Sequence, residues 1–447
     1  MLYALLSDLA ARAPDEPALI AHEGPWPAAR LCALADAWAL QLHRAGHKRF
    51  GLCMVPSGRM VAALAAVSRL DASAVILSDS LPRQELQRLA ARMECQAVLC
   101  DAAAQPGLSD AFGDRALALD PACAADARLL ELPAAPDSGI RILSSGTTGQ
   151  SKAIDLRWRD LVAAVRVSPP AGPRRWLLAY GLAHFAGIQV LLHALVHGEV
   201  LIVPACAQVP AMWAAASREG ATHISSTPTF WRAAFVSPAC ASPIVTLRHV
   251  TLGGEVVTQE VLDRIAALYP GVSISQVYAS TELGSVVSVK DCRAGLPLSL
   301  FDPQAQGGAL LRIVNRELHV RQGSGPATHY RATGDLVERT AERVLFLGRK
   351  SETINVGGMK VYPQQIEALV NPLPGVATAI AEGRPNPMTG QIVRLRVVLH
   401  RGHLPEEVEP RIRAACSVLG RHARPRQIVY VDALETANMK LARRAAA

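Results

Sequence analysis

The most informative segment of this sequence is Ser144-Ser145-Gly146-Thr147-Thr148-Gly149-Gln150-Ser151-Lys152. It lies between the short apolar segments Arg141–Leu143 and Ala153–Leu156, so the pattern predicts a strand, a loop and a second strand. Glycines let backbone N–H groups approach a ligand, hydroxyls donate hydrogen bonds, and the lysine adds a fixed positive charge. This combination is typical of a polyphosphate-binding loop, although a Ser- and Gly-rich surface turn is the alternative. It is not a Walker A loop, which opens a helix.

Strands and helices alternate on both sides of this loop, which predicts parallel α/β architecture. Short strands follow from Ala309 onwards and predict a small β-rich unit. After the pair Gly348–Arg349 the pattern becomes α+β, with helices over Pro363–Val370 and Glu406–Leu419. We therefore expect an α/β fold with a large N-terminal domain of parallel sheets plus a β-rich unit (1–348), a hinge (349–351) and a small C-terminal domain (352–447).

Length and composition agree with this division. A single core seldom exceeds about 250–300 residues, so 447 residues predict at least two domains. A hydrophobic fraction of 50% excludes a disordered chain. The net charge of +8 favours acidic partners such as nucleotides, phosphorylated carriers, nucleic acid or membranes, without choosing among them. An aromatic content of 4% and the lack of a clustered Lys/Arg run argue against nucleic acid.

The compartment is predicted from cysteines and apolar stretches. The nine cysteines are scattered and form no Cys-x-x-Cys pair, which favours reduced thiols in the cytoplasm and argues against a zinc site. Met1–Ala10 has no basic residue and contains Asp8, so it does not resemble a secretory signal. The most apolar stretch, Leu177–Pro204, contains three histidines, Glu199 and three glycines, which predicts a buried helix and a core strand, not a membrane span.

Four further segments carry polar groups suited to a nucleotide. One strand ends in Tyr278-Ala279-Ser280-Thr281-Glu282, where an aromatic ring can stack on a purine and a carboxylate can hold Mg²⁺. Another, Tyr330–Asp335, places an aspartate after a glycine turn, where it can accept from ribose hydroxyls. The last two are Gly348–Pro363 and Asn438-Met439-Lys440. Taken singly, a solvated strand end and a plain turn aspartate remain alternatives.

Together and in this order, the five segments closely resemble the adenylate-forming superfamily of acyl- and aryl-CoA synthetases, peptide-synthetase adenylation domains and beetle luciferases. The resemblance runs from about residue 30 to Arg444 and implies that the C-terminal α+β domain is mobile. It also implies an ATP site whose residues act on different parts of the nucleotide. The resemblance implies that the phosphates are bound by Ser144, Ser145, Gly146, Thr147, Thr148, Gly149 and Lys152. It implies that the adenine is bound by Gly253, Gly254, Glu255 and Tyr278. Thr281 would contact the α-phosphate, Glu282 would bind Mg²⁺, and Asp335 and Arg349 would bind the ribose.

For the reaction, the resemblance implies two half-reactions. A small carboxylic acid attacks the α-phosphorus of ATP, with Lys440 bridging the two, and a pantetheine thiol of CoA or of an acyl carrier protein then takes the acyl group. Gly357 and Gly358 would line the pantetheine channel, and His184 would gate the carboxylate, although a core histidine is its alternative. Phe185 stands where amino-acid-activating domains usually carry Asp, which argues against amino acids. The preceding Ala179-Tyr180-Gly181-Leu182 is similar to benzoate-type ligases, so we expect residues 179–187, the acid segment, to bind an aromatic or short acyl acid.

Two departures from the family pattern keep another class open. The hinge position that is usually Asp or Lys is Ser351, and the Gly before the C-terminal lysine is Met439. A catalytically impaired adenylation fold that only binds its ligands is therefore the alternative, and pyrophosphate exchange with any acid would exclude it.

Overall fold

The computed structural model describes residues 1–78, 81–100, 109–119, 138–144, 152–165, 172–280, 284–304, 309–322, 329–434, 436–437 and 440–441 of the 447. The N-terminal part alternates helices and strands and ends in the hairpin around the predicted phosphate loop. The hydroxyl of Ser57 caps one helix by accepting from the Met60 amide at 3.2 Å. The elements are α1 (Leu2–Arg12), β1 (Pro17–Ala21), β2 (Gly24–Pro27), α2 (Ala28–Ala45), β3 (Arg49–Cys53), α3 (Gly58–Ser68), β4 (Ser73–Ile76), α4 (Arg83–Arg92), β5 (Ala97–Cys100), β6 (Ala116–Ala118), β7 (Gly139–Ser144), β8 (Lys152–Arg157) and α5 (Trp158–Ala163).

A second α/β run occupies residues 172–289. Its first helix ends at Gly198, which adopts the left-handed conformation with φ 66° and has no Cβ to oppose it. The elements are β9 (Arg175–Leu178), α6 (Phe185–His197), β10 (Val200–Ile202), α7 (Val209–Arg218), β11 (His223–Ser226), α8 (Pro228–Val236), β12 (His249–Gly253), α9 (Gln259–Leu268), β13 (Ser273–Ser280) and β14 (Gly284–Val289).

The rest of the described chain forms the β-rich unit and then the C-terminal α+β part. The β-rich unit comprises β15 (Leu296–Pro297), β16 (Leu311–Val314), β17 (Glu317–Gln322), β18 (His329–Arg339) and β19 (Arg343–Arg349). The C-terminal part comprises β20 (Ile354–Val356), β21 (Met359–Val361), α10 (Pro363–Val370), β22 (Val376–Asn386), β23 (Gly390–Leu399), α11 (Pro405–Ala415), β24 (Gln427–Tyr430), β25 (Thr436–Ala437) and β26 (Lys440–Leu441).

Among the described residues the strands form two large and mostly parallel sheets. One has six strands in the order β6-β5-β3-β4-β7-β8, and the other has eight in the order β14-β13-β12-β11-β9-β10-β1-β2. The five strands of the β-rich unit pair antiparallel, and β20 to β24 form a mixed sheet in the C-terminal part. The predicted α/β fold class, with its β-rich unit and α+β C-terminal part, is therefore confirmed.

The main hydrophobic core lies between the two large sheets. Helix α3 is buried along its whole length apart from Arg59, and it shares one cluster with residues of both sheets, such as Leu52 and Leu201. The predicted buried helix and core strand within Leu177–Pro204 are α6 and β10. No helix in the described ranges combines the length and apolarity needed to cross a bilayer.

One predicted helix differs from the structure. The apolar spacing predicts a helix over Glu406–Leu419, but α11 ends at Ala415 and a 3-10 turn over Cys416–Val418 continues it. A 3-10 turn at a helix end keeps the apolar side chains on nearly the same face, so periodicity does not distinguish the two.

Sheet topology places the carboxyl ends of several parallel strands at one edge. Strands β13, β12, β11 and β9 are neighbours and run in the same direction. In open α/β sheets, ligands bind in the crevice beyond such an edge. The predicted adenine and acid segments all follow or end these strands, so the fold brings them together.

Candidate active site

A buried hydrogen bond joins the acid segment, residues 179–187, to the predicted adenine loop. Tyr180 follows β9, and its hydroxyl donates to the carbonyl oxygen of Gly253, at the end of β12, at 3.1 Å. Burial raises the pKa of the Tyr180 hydroxyl, so it remains a donor at neutral pH. This bond fixes the start of the loop Gly253-Gly254-Glu255, in which Gly254 has φ 79°.

The side chain of Glu255 ties the same loop to the beginning of α8. One carboxylate oxygen accepts from the backbone amide of Thr229 at 3.0 Å and from its hydroxyl at 2.7 Å. A carboxylate at a helix N-terminus satisfies amides that have no partner within the helix and is stabilised by the helix dipole. The Glu255 carboxylate is thus bound within the protein, and the contact of this loop with adenine stays a prediction.

The predicted ribose residues form one connected cluster with the predicted adenine-stacking residue. Asp335 is 8% exposed, and its Oδ1 lies 2.8 Å from Nε of Arg349. Its Oδ2 accepts from the hydroxyl of Tyr278 at 2.5 Å. The Tyr278 ring packs on Phe346, with ring centroids 5.4 Å apart and planes 30° apart. The sequence assigns Tyr278, Asp335 and Arg349 separately to the nucleotide, and the structure shows that Asp335 also contacts the other two.

Electrostatics in this cluster keep the proton on the tyrosine. Burial raises the pKa of Tyr278, and the neighbouring Asp335 carboxylate adds to the shift. Burial also raises the pKa of Asp335, and this effect outweighs the opposite effects of Arg349 and the hydrogen bonds. The geometry gives Tyr278 as donor and Asp335 as acceptor, with the arginine guanidinium balancing the buried charge.

The predicted phosphate loop begins and ends in a hairpin, as the strand–loop–strand pattern predicts. Strands β7 and β8 are antiparallel, and their register places the backbone of Ser144 opposite that of Lys152. Ser145, Gly146, Thr147, Thr148 and Gly149 lie outside the described residues, as do Thr281 and Glu282. Their roles, and those of the Ser144 and Lys152 side chains, stay predictions. The residues that are described contain no group of His, Cys, Asp and Glu arranged to hold a metal ion.

His184 lies in the acid segment, directly before α6. Its backbone amide donates to the carbonyl oxygen of Gly181 at 3.0 Å. A Cβ at Gly187, in the first turn of α6, would lie 2.3 Å from the same carbonyl oxygen, so only glycine fits there. The turn holds His184 beside Tyr180 in the acid segment, and its role towards the acid stays a prediction.

The predicted pantetheine residues Gly357 and Gly358 form the two-residue turn between β20 and β21. Their φ angles are +58° and +84°, and the flanking residues Val356 and Met359 pair across the hairpin. A Cβ added at either glycine would meet no atom of the described residues within 4 Å. In this arrangement of the chain, the turn therefore faces open space.

The backbone of Lys440 lies in the short hairpin of β25 and β26, opposite Ala437. Strand β26 lies next to α8, the helix whose first turn binds Glu255. The C-terminal lysine motif and the adenine loop therefore contact the same helix, although they are separated by about 185 residues in the sequence.

The sequence assigns no site role to Thr229 or Phe346, and it marks Tyr180 only as part of the acid segment, without its contact with Gly253. Their contacts join segments that are distant in sequence, and no local pattern marks them. The one available signal was the similarity of Ala179-Tyr180-Gly181-Leu182 to benzoate-type ligases.

Two family models match this chain in sequence order. The family model described as AMP-binding enzyme matches residues 6–324, and the model described as AMP-binding enzyme C-terminal domain matches residues 365–440. A probable 2-succinylbenzoate–CoA ligase of Mycobacterium tuberculosis is 28% identical over 314 residues, which is 67% of this chain and 80% of that protein.

Solved structures show the same fold. The anthranilate CoA ligase AuaEII in complex with anthranoyl-AMP superposes with a TM-score of 0.84 at 17% identity, covering 98% of this chain and 95% of the other. A benzoate CoA ligase from Burkholderia xenovorans LB400 gives a TM-score of 0.82 at 19% identity and 98% coverage of both chains. With both family models matched in order along most of its length, the chain belongs to the AMP-binding enzyme family, that is, to the adenylate-forming superfamily.

Proposed function

We propose that this protein is an AMP-forming acid–thiol ligase that activates a small carboxylic acid with ATP and transfers the acyl group to the thiol of CoA. The observation that carries the proposal is the cluster of Tyr278, Asp335 and Arg349 beside the loop Gly253–Glu255, at the carboxyl edge of the eight-stranded sheet. An aromatic ring, a buried carboxylate paired with arginine and a loop backbone exposed at Gly254 suit an adenosine.

In the first half-reaction a carboxylate oxygen attacks the α-phosphorus, and pyrophosphate leaves with the electrons of the broken P–O bond. The repulsion between the carboxylate and the triphosphate is the main obstacle, because both are anions. Lys152 and Lys440 would offset it from the two sides of the nucleotide, and Thr281 would contact the α-phosphate. Mg²⁺, held by Glu282, supplies further positive charge on the phosphates when it is bound.

In the second half-reaction a thiolate attacks the acyl carbonyl carbon, and AMP leaves. The glycine turn Gly357-Gly358 would then line the path of the pantetheine arm, because a backbone without side chains leaves room for it. In the described arrangement this turn faces open space while the Lys440 strand lies against α8. We therefore assign this arrangement to acid activation, with residues 349–351 as the hinge between the units 1–348 and 352–447.

The acid is proposed to be aromatic or a short acyl acid. Phe185 offers no carboxylate for an α-ammonium group, which disfavours amino acids. Relatives named as 2-succinylbenzoate, anthranilate and benzoate CoA ligases support an aryl acid. The test is pyrophosphate exchange with benzoate, anthranilate, 2-succinylbenzoate, acetate and phenylalanine. Exchange with an aryl acid supports the proposal, and exchange with none of the five, despite ATP binding, favours the impaired binding protein.

An acyl carrier protein remains a second candidate for the thiol acceptor, on the basis of charge. From residue 352 onwards the chain has thirteen Lys and Arg against eight Asp and Glu, so this part carries most of the net charge of +8. An acidic carrier would gain encounter rate from this surface, and the gain would fall with added salt. Loading of free CoA as fast as of a phosphopantetheinylated carrier, with no salt dependence for the carrier, would exclude the carrier preference.

A further inference from the structure

The carboxylate that pairs with Arg349 is carried by a β-bulge. Glu317 pairs with Leu336 and His319 pairs with Ala332, so three residues of β18, Thr333 to Asp335, lie opposite the single residue Leu318 of β17. Bulges re-aim side chains and are frequent next to functional sites. Here the bulge turns Asp335 towards Tyr278 and Arg349.

The side chain of Glu317 stabilises this bulge by accepting a hydrogen bond from it. One of its carboxylate oxygens accepts from the backbone amide of Gly334 at 3.0 Å, and Gly334 has the left-handed φ of 77°. The extra residues of a bulge lose their ladder partners, so their amides need another acceptor. Because Gly334 is bonded directly to Asp335, Glu317 fixes the position of the predicted ribose carboxylate.

The other carboxylate oxygen of Glu317 accepts from Nζ of Lys350 at 3.1 Å. Lys350 follows Arg349 and begins the 3-10 turn Lys350–Glu352, within the proposed hinge. One carboxylate, only 16% exposed, therefore contacts both the bulge that carries Asp335 and the hinge.

A strained turn places Glu317 at this position. The two residues between β16 and β17, Asn315 and Arg316, both have positive φ, at 51° and 66°. Asn tolerates this conformation, whereas an arginine there costs on the order of 1 kcal/mol or more. The Arg316 carbonyl accepts from the Val337 amide at 2.8 Å, which anchors the turn beside the bulge.

The ion pair faces a cavity of about 470 Å³ between the β-rich unit and the C-terminal part. Glu317 and Lys350 line it from one side, and Thr353, Lys360 and Tyr362 line it from the other. The Lys350 side chain is 69% exposed, so the pair is hydrated and of modest strength. A contact of this strength restrains the hinge without locking it.

We infer that Glu317 is a positioning residue that couples the nucleotide site to the hinge: through Gly334 it holds Asp335 for the ribose, and through Lys350 it restrains the chain in the arrangement described here. The inference rests on the proposed function for its nucleotide half, and its hinge half stands on the geometry alone.

Three variants of the full chain separate the two contacts. Glu317→Ala removes both. Glu317→Gln keeps a carbonyl oxygen for the Gly334 amide but loses the charge that holds Lys350, and Lys350→Met removes the hinge contact alone. AMP affinity is measured by calorimetry, hinge opening by amide hydrogen exchange of residues 348–353, and folding by thermal unfolding.

We expect Glu317→Ala to weaken AMP binding by about three- to tenfold, the range of one lost hydrogen bond. Glu317→Gln and Lys350→Met should bind AMP as the wild type does. All three should exchange faster at the hinge, by about two- to fivefold, the range of a partly exposed ion pair.

Two results would overturn the inference. One is unchanged hinge exchange in all three variants, and the other is equal AMP affinity in Glu317→Ala and the wild type. A wild-type protein that does not bind AMP would instead contradict the proposed function, and the exchange comparison would still decide on the hinge contact.

Discussion

The hydroxyl of Tyr278 donates a 2.5 Å hydrogen bond to Oδ2 of Asp335, across 57 residues of sequence. Tyr278 lies on β13 of the eight-stranded sheet, whereas Asp335 lies on β18 of the β-rich unit. Arg349, the last residue of β19, pairs with the other oxygen of the same carboxylate. The bond therefore joins two sheets and the start of the proposed hinge, so a nucleotide held here would contact all three.

Replacing Tyr278 by Phe tests the hydrogen bond without removing the ring. The phenylalanine can still pack on Phe346, but Asp335 loses one donor and remains buried. We expect the KM for ATP in pyrophosphate exchange to rise by about three- to tenfold, since one hydrogen bond to a buried carboxylate is lost. The KM for the acid should stay the same.

A matched control is Tyr430→Phe, which removes a hydroxyl that donates to the Pro405 carbonyl at 3.4 Å in the C-terminal part. It should leave both constants unchanged. An unchanged KM for ATP in Tyr278→Phe would mean that this bond does not organise the nucleotide site.

We expect nucleotide affinity to decrease at acidic pH because Asp335 becomes protonated. Burial raises the pKa of this carboxyl above its usual range, so it takes up a proton at a higher pH than an exposed aspartate does. Protonation weakens the pairing with Arg349 and removes an acceptor for ribose hydroxyls. We expect AMP affinity to fall as the pH decreases through this raised pKa, and Asp335→Asn to bind AMP weakly with little pH dependence.

The contribution of Asp335 to the free energy of unfolding should depend on pH in the opposite direction. A carboxyl whose pKa is raised on folding stabilises the fold most below its unfolded pKa of about 3.9, and this contribution is lost as the pH rises through the folded pKa. Thermal unfolding of Asp335→Asn at pH 7 should therefore occur at the wild-type temperature or above. The exposed Asp432→Asn serves as control, and a marked loss of stability in Asp335→Asn alone would contradict this reasoning.

A row of aromatic rings crosses the amino-terminal ends of the same parallel strands. Successive ring centroids lie 4.2, 4.8, 4.6 and 5.6 Å apart along the order His197, His193, Trp176, His223 and His249. Burial is the largest cause that lowers the pKa of His193 and His249 to about 4 and that of His223 to about 3. Neighbouring histidines and Arg174 add to it for His193 and His223, and Lys290 and Arg174 add to it for His249. These imidazoles are neutral in the folded protein at physiological pH.

This row predicts loss of stability in mild acid. A histidine whose pKa is lowered on folding contributes stability that is complete above its unfolded pKa of about 6.5 and is lost as the pH falls towards its folded pKa. For His193, whose pKa falls from about 6.5 to about 4, the loss is on the order of 3 kcal/mol. Thermal unfolding between pH 7 and pH 4 should show a steep fall for the wild type and a shallower one for His193→Phe. The exposed His22→Phe should follow the wild type, and equal slopes for all three proteins would exclude the row as the cause.

Local pattern was sufficient for the elements and for the order of the motifs. The helix over Pro363–Val370 is observed with the predicted bounds, because it begins at a proline and its apolar residues follow helical spacing. The contacts of Glu317 and of the histidine row could not be predicted in this way. They depend on which strands become neighbours and on a two-residue shift in register. Neither can be predicted from the local sequence of a short segment.

The two half-reactions should be separable by variants at opposite ends of the C-terminal part. Lys440→Ala removes an ammonium group that is useful only while a carboxylate faces the α-phosphate. We expect it to slow acyl-adenylate formation by two orders of magnitude or more, roughly 3 kcal/mol of barrier, and to spare thiolation of a preformed acyl-adenylate. Both steps are measured separately, by pyrophosphate exchange and by thioester formation from the isolated adenylate.

Gly358→Trp should have the opposite effect. Its position is open in the described arrangement, so an indole would not disturb acid activation, but it would obstruct the pantetheine path after the hinge moves. Gly358→Ala is the matched control, because it carries the same strain at φ +84° without the bulk. We expect Gly358→Ala to keep most of its thiolation and Gly358→Trp to lose it, while both retain pyrophosphate exchange. Equal damage to both half-reactions in Lys440→Ala, or equal thiolation in the two Gly358 variants, would show that one fixed arrangement performs both steps.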